Sequence, residues 1–403
     1  MKFVLPITLV IISMLSWQWK GSSAEQNQTL SLCATCPPGF ELTDDNQCKL
    51  RTPYQQYESR KGDDAGVGGL KTALPKVRDG FTPQQIDLGR YLFFDPVLSK
   101  DGTISCATCH NPDKGFSDGL KTSVGVNHTS LKRAAPTLWN VAFYKKFFWD
   151  ARATSLEEQM TGPLYSHEEM GTTREQLLKA LNQVESYQDL FRQAFPNKKE
   201  NEIELTEVYT AIAAFESSLI SLNSRYDQYA HGYHEALNKQ EIEGLNIFRS
   251  FVARCAECHT PPLFTNQQVA VIGLAEPEGK PRDVGAEKTF NDTTLRAAFK
   301  VPTLRNIERT APYTHSGRFN TVREMIEFYT KGRGHEVKSN EHLRIHWHIW
   351  EPNLTNNEMD RLVDFIKTLT DESFKPRTPK QVPSGIAIKE SSTNKSLSSI
   401  QNY

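Results

Sequence analysis

The chain has 403 residues, 38% apolar and 24% charged, which suits two or three packed domains and excludes a fibrous or wholly disordered polymer. Its 47 Lys and Arg against 48 Asp and Glu leave a formal net charge of -1. That balance speaks against a nucleic-acid binder and against a polybasic membrane-surface protein.

In chain order, residues 1–24 read as a secretory signal. Lys2 precedes a mostly apolar run from Phe3 to Trp17, and Ser22 and Ala24 stand at -3 and -1 of a cut before Glu25. The other reading is an uncleaved anchor, with Trp17, Trp19 and Lys20 at a bilayer interface. Both readings send the remainder out of the cytoplasm, to the periplasm, where disulfides are permitted. Residues 25–78 form a polar extension carrying Cys33, Cys36 and Cys48. Cys33-Ala-Thr-Cys36 is followed by Pro37, which cannot ligate iron, so a local disulfide of Cys48 with Cys36 or Cys33 is expected, with one thiol over.

Residues 79–235 and 236–372 alternate helical patterns with loops. Leu205–Leu222 repeats Val208, Ile212, Phe215 and Leu219 at helical spacing. Thr321 with Glu324 three residues on is a capping box that opens a helix to Tyr329, and Asn356–Leu369 reads as another. Breaks such as Thr260-Pro261-Pro262 keep the helices short. Residues 373–403 are polar, and a disordered tail is expected.

Two motifs dominate the cysteine pattern: Cys106-Ala-Thr-Cys109-His110 and Cys255-Ala-Glu-Cys258-His259. Two thiols three residues apart on one turn reach the two vinyl groups of a haem, and the next His lies under the iron. A zinc site or a redox dithiol is the bland alternative for one such motif; two in one exported chain favour covalent haem c. Each follows a similar apolar helix, Leu88-Gly-Arg-Tyr-Leu-Phe-Phe and Gly244-Leu-Asn-Ile-Phe. The expected fold is mainly α: two cytochrome c-like haem domains with long loops and little β.

Between and after the motifs the chain resembles the di-haem bacterial cytochrome c peroxidases and the related MauG enzymes. The resemblance is carried by Ala135-Pro-Thr-Leu-Trp-Asn140, Phe148-Trp-Asp-Ala-Arg-Ala153, Leu156-Glu-Glu-Gln159, Gly162-Pro-Leu164 and Glu169-Met-Gly171. Downstream, Val301-Pro-Thr-Leu-Arg-Asn306 and Thr310-Ala-Pro-Tyr-Thr-His-Ser-Gly317 continue it. It covers about residues 79–372. It implies a peroxidatic haem on His110, with Glu169 as distal acid–base group, Gln159 positioning peroxide or water, and Trp149 relaying electrons to a second haem on His259. The family's sixth ligand of that haem falls on Tyr329, as in MauG enzymes, with Met325 one turn earlier as the competitor. A calcium ion is implied at backbone oxygens of Thr310 and Pro312, although Ala134 stands where the family has Asn.

His315 is expected to hydrogen-bond a haem propionate, and His128 reads as an exposed loop residue. His342, His346 and His348 gather around Trp347 as an exposed basic-aromatic loop, or else a metal site. The implied partners are hydrogen peroxide and either a small cytochrome c or cupredoxin donor or a protein substrate, and the resemblance, to proteins that are often dimers, also implies a homodimer. A two-haem electron carrier without catalysis is the alternative. Gln159, Glu169 and Trp149 speak against it, because a carrier needs no acid–base pair beside iron.

Overall fold

The structure is a computed structural model, and it describes residues 30–52, 54, 74–197, 202–371 and 373–388. The expected signal, residues 1–24, and the stretch 389–403 lie outside the described residues. The fold is mainly helical, 38% helix and 7% strand. Among the described residues, the first half holds α1 (Pro83–Phe94), α2 (Cys106–Cys109), α3 (Leu156–Tyr165), α4 (Arg174–Asn182), α5 (Glu185–Ala194) and α6 (Leu205–Ser217). The second holds α7 (Arg225–Ala230), α8 (Lys239–Phe248), α9 (Cys255–Cys258), α10 (Glu287–Phe290), α11 (Val322–Lys331) and α12 (Asn356–Lys367). Strand β1 (Phe40–Leu42) pairs antiparallel with β2 (Cys48–Leu50), and β3 (Val269–Val271) with β4 (Ala298–Lys300). No helix among the described residues is long and apolar enough to cross a membrane.

Two large apolar clusters form the cores. The first gathers Leu88, Leu92, Phe93 and Phe215; the second gathers Phe248, Phe264, Leu362 and Phe365. Each fully buried side chain of this kind contributes about 1.5–3 kcal/mol. The helix pair at the centre of each cluster is built alike. A Cβ added at Gly89 of α1 would lie 1.8 Å from the Ala211 carbonyl oxygen of α6. One added at Gly244 of α8 would lie 1.9 Å from the Arg361 carbonyl oxygen of α12. In both, only glycine lets the two backbones approach, so the repeat in the sequence has a packing cause.

Caps set the helix ends. The Thr82 hydroxyl accepts from the Gln85 amide while the Gln85 side chain accepts from the Thr82 amide, and Pro83 opens α1 without wasting a donor. Thr321 and Glu324 make the expected box on α11. The helix expected over Leu205–Leu222 stops at Ser217. Beyond it the chain serves another partner: the Asn140 side chain donates to the Ser221 carbonyl at 2.9 Å and accepts from the Ser221 amide at 2.8 Å.

The extension is pinned at both ends. Cys36 and Cys48 form a disulfide across the β1–β2 hairpin, and Cys33 keeps a free thiol. The Tyr54 hydroxyl donates to Asp227, a buried carboxylate that also receives both terminal nitrogens of Arg305 at 2.6 Å. The expectation of disorder from residue 373 is corrected for 373–388. Val382 is buried in the first core, with Phe374 and Ile388 packed beside it. The Ser384 hydroxyl donates to Asp95 at 2.6 Å, and Lys375 pairs with Asp113. Five anchors spread through a polar stretch gave no periodic signal.

Candidate functional site

The two Cys-x-x-Cys-His motifs fold alike, although Ser105 enters the first turn extended and Arg254 enters the second in the left-handed region. Each is a single helical turn, and the amide of the following His donates to the first Cys carbonyl at 2.9 Å, in His110 and in His259. The His110 Nδ1 lies 3.0 Å from the Phe116 carbonyl oxygen. The His259 Nδ1 lies 3.2 Å from that of Phe264 and 3.1 Å from that of Pro302. A carbonyl only accepts, so Nδ1 carries the proton and Nε2 keeps the lone pair an iron needs. Burial lowers both imidazoles, His259 to about 4, which favours the neutral form that iron ligation would require.

None of the four motif cysteines is in a disulfide. Burial, joined by the charges of Asp118 and Glu169, pushes Cys109 up to about 12; burial, with Cys258 adding to it, drives Cys255 up to about 12 and leads the rise of Cys106 and Cys258. These are not the lowered thiols of a redox dithiol. Paired thiols with an unengaged imidazole nitrogen beside them fit covalent haem.

Beside the second motif is a cavity of about 250 Å³, lined by Cys255, Cys258, His259, Met325, Tyr329 and Trp149 among others. Tyr329 and Met325 lie one turn apart on α11, so both candidate sixth ligands reach the same space. Burial pushes the Tyr329 phenol up, and the thiols of Cys258 and Cys255 add to this; all three side chains line the one cavity.

Trp149 comes from the first half of the chain yet stands in this wall. Its indole N–H donates to the Ala134 carbonyl at 2.9 Å, and its own carbonyl accepts from the Lys300 amide of β4 at 2.6 Å. The segment Ala134–Thr137 lines the same cavity, and the Pro136 carbonyl faces His110. One short stretch of backbone therefore touches the surroundings of both motifs.

On the first motif's side, α3 carries Gln159, half-buried, three residues before Gly162 and on the same face. A Cβ at Gly162 would meet the Phe148 ring at 2.8 Å, so α3 packs on the residue before Trp149. After α3 the chain turns back, with the Glu169 amide bonded to the Ser166 carbonyl at 3.0 Å. The Glu169 carbonyl accepts from Val126 at 2.8 Å. A Cβ at Gly125 would sit 1.9 Å from the Glu168 carbonyl oxygen, so the loop after the first motif clamps this turn through a glycine. Burial raises the Glu169 carboxyl; Arg152 opposes the shift and Glu168 adds to it. Asp150 steers Arg152 through contacts of 2.8 and 2.9 Å and also holds Arg133 at 2.8 Å.

Thr310 and Pro312 line the cavity, and Ala134 brings no side-chain oxygen to the expected calcium position. His315 is buried in the cavity wall, stacked on Phe299 with ring centroids 3.7 Å apart. His128 and His342 are exposed. Two groups fall outside the sequence expectations. Lys300 lines the cavity, and burial lowers its amine to about 8. Glu216 is buried near Cys106; burial, then the Glu157 charge, lifts it to about 8, with Arg78 opposing. An acid inside the apolar run Ala213-Ala-Phe-Glu216 was the one signal for it.

Residues 83–235 match the family described as di-haem cytochrome c peroxidase. The chain is 35% identical to the cytochrome c551 peroxidase of Nitrosomonas europaea over 79% of its own length and 90% of that protein. It is 37% identical to the methylamine utilization protein MauG of Methylorubrum extorquens over 62% of its length and 70% of that protein. Among solved structures, a MauG-like protein associated with microbial copper homeostasis is similar at a TM-score of 0.68 and 29% identity, covering 78% of this chain and 96% of that one. With paired haem-type turns, a shared cavity wall and this similarity over most of its length, the chain belongs to the di-haem cytochrome c peroxidase and MauG family of enzymes.

Proposed function

We propose that this enzyme acts in the periplasm, where it uses hydrogen peroxide to oxidise an electron donor, with His110 under the reactive iron and Trp149 coupling it to a second iron held by His259 and Tyr329. The observation that carries the reading is the Glu169 carboxyl, raised by burial and within electrostatic reach of Cys109. When bound, the first haem supplies a redox-active iron able to take peroxide.

The residues around it do the rest. Glu169 would accept a proton from peroxide and return it to the oxygen that departs as water, with the bound haem supplying the two electrons that O–O cleavage needs. A raised pKa suits both halves of that task, since the group must accept and return the proton near neutral pH. Gln159 orients the oxidant through its amide. Arg133 and Arg152, both tied to Asp150, hold the Phe148–Arg152 turn and keep a cation near Glu169. The Trp149 indole, fixed by Ala134, is the oxidisable ring that this reading uses to couple the two sites.

The donor is a small cytochrome c or cupredoxin, or a protein substrate oxidised at a distance. Tyr329 as sixth ligand would favour the second, because a phenolate on the iron stabilises its oxidised state, whereas Met325 would stabilise the reduced state; both side chains line the cavity. Stopped-flow mixing of peroxide with the fully oxidised protein tests this. An immediate spectral change supports MauG-like oxidation of a partner. A requirement for prior one-electron reduction supports the scavenging peroxidase. Inertness in both states leaves the non-catalytic carrier.

A further inference from the structure

The loop that crosses the second motif's edge carries two imidazoles that the peroxidase reading does not use. His346 and His348 lie with ring centroids 5.0 Å apart. The His348 Nδ1 is 4.0 Å from the Cys258 Sγ. One donor atom from each of Cys258, His346 and His348 falls within 4.8 Å of the other two, the only such group of three or more among the described residues. The loop is held in place: the His346 amide donates to the Val271 carbonyl of β3 at 2.9 Å, and the Ile349 amide closes the turn on the His346 carbonyl at 2.9 Å. Trp347, 70% exposed, points to solvent between the two imidazoles, which are half-buried. His342, four residues before His346, is exposed and outside the group.

We infer that Cys258, His346 and His348 form a binding site for a single monovalent soft cation, copper(I), at the edge of the second haem. The inference rests on haem attachment at Cys258. Once attached, that sulfur is a thioether: uncharged, soft, and still carrying lone pairs. With two neutral imidazoles it makes an N₂S donor set without any anionic ligand. Calcium and magnesium demand oxygen ligands, and zinc, though it accepts imidazole, takes its sulfur from thiolates rather than thioethers. Thioether and imidazole together select copper, and the +1 ion above all. The neighbouring charge agrees. The Arg254 guanidinium lies 5.7 Å from the Trp347 ring centroid, so a second positive charge nearby disfavours a divalent ion. Among the described residues no carboxylate joins the donor group itself; the Glu257 charge acts on Cys258 from outside it.

The experiment uses the haem-loaded protein, with haem content read separately from intact mass so that failure of attachment is distinguishable from failure of this site. Copper(I) is titrated in competition with a chromophoric copper(I) chelator, and bound metal is counted by elemental analysis. The expected result is one copper per chain and an X-ray absorption spectrum with one sulfur and two nitrogen scatterers. The double variant His346→Ala/His348→Ala is expected to lose about 100-fold or more in copper affinity, since even groups behind the ligands cost about 10–100-fold. Its haem bands stay as in the parent. Should the double variant fail to take up haem, His346→Gln and His348→Gln singly give the same readout. Equal copper binding by parent and variants, a spectrum without sulfur, or no copper on a parent carrying two haems overturns the assignment.

Discussion

Replacing Glu169 with Gln isolates one proton. The amide keeps the size of the carboxyl and can still hydrogen-bond, so the turn held by Val126 and Ser166 is undisturbed. It cannot accept and return a proton. A positioned general acid–base group contributes about 10²–10⁴-fold, or about 2.7–5.4 kcal/mol at 1.36 kcal/mol per decade. Turnover of peroxide with saturating donor is expected to fall by that factor, with both haems retained. The pH profile gives a second reading. Burial and Glu168 raise the carboxyl more than Arg152 lowers it, so the working carboxylate is lost as pH falls through a value above the ordinary glutamate range of about 4.3. The acid limb of the parent therefore lies above that range and disappears in Glu169→Gln. Arg152→Gln removes the opposing cation and moves the limb to higher pH; Glu168→Gln moves it lower. A Glu169→Gln enzyme with parental turnover and an unchanged acid limb would refute the assignment.

Tyr329→Phe is expected to alter the absorption of one haem and leave the other, while Met325→Leu alters neither; the reverse pattern would make Met325 the ligand. Asp227→Ala strands the buried Arg305 and is expected to cost about 3–5 kcal/mol by calorimetry. Burial alone would raise Asp227, but Arg305 and the hydroxyls of Tyr54 and Ser224 hold it below its ordinary value. Its contribution is thus complete above the unfolded value of about 3.9 and drains away as pH falls through the lower folded one, so the difference between parent and Asp227→Ala narrows in acid. Replacing Cys36 and Cys48 by Ser opens a loop of sequence separation 12 and is expected to lower unfolding stability by about 3 kcal/mol, with haem spectra unchanged.

Local chemistry was legible before the structure. The two Cys-x-x-Cys-His turns, the Thr321–Glu324 cap and the twin helices with Gly89 and Gly244 all depend on residues close in sequence. What was hidden depends on residues far apart. The bond from the Trp149 indole to the Ala134 carbonyl and the clamp of Gly125 on Glu168 leave no mark on periodicity. The end of α6 was overrun because Leu219 and Leu222 continue the apolar pattern while Asn140, about 80 residues earlier, takes the backbone of Ser221. The Cys33 versus Cys36 choice could not be made from spacing, since either thiol is within reach of Cys48 along the chain.

The returning segment 373–388 bears on how the molecule matures. Val382 completes a cluster whose other members begin at Leu32 and Leu88, so that cluster cannot be sealed until the chain has been made as far as residue 382. Cys106 and Cys109 emerge almost 280 residues ahead of Val382. Cofactor ligation at the first turn can therefore proceed on an unsealed chain, with its thiols still accessible, and the arrival of the last segment closes the compartment behind it.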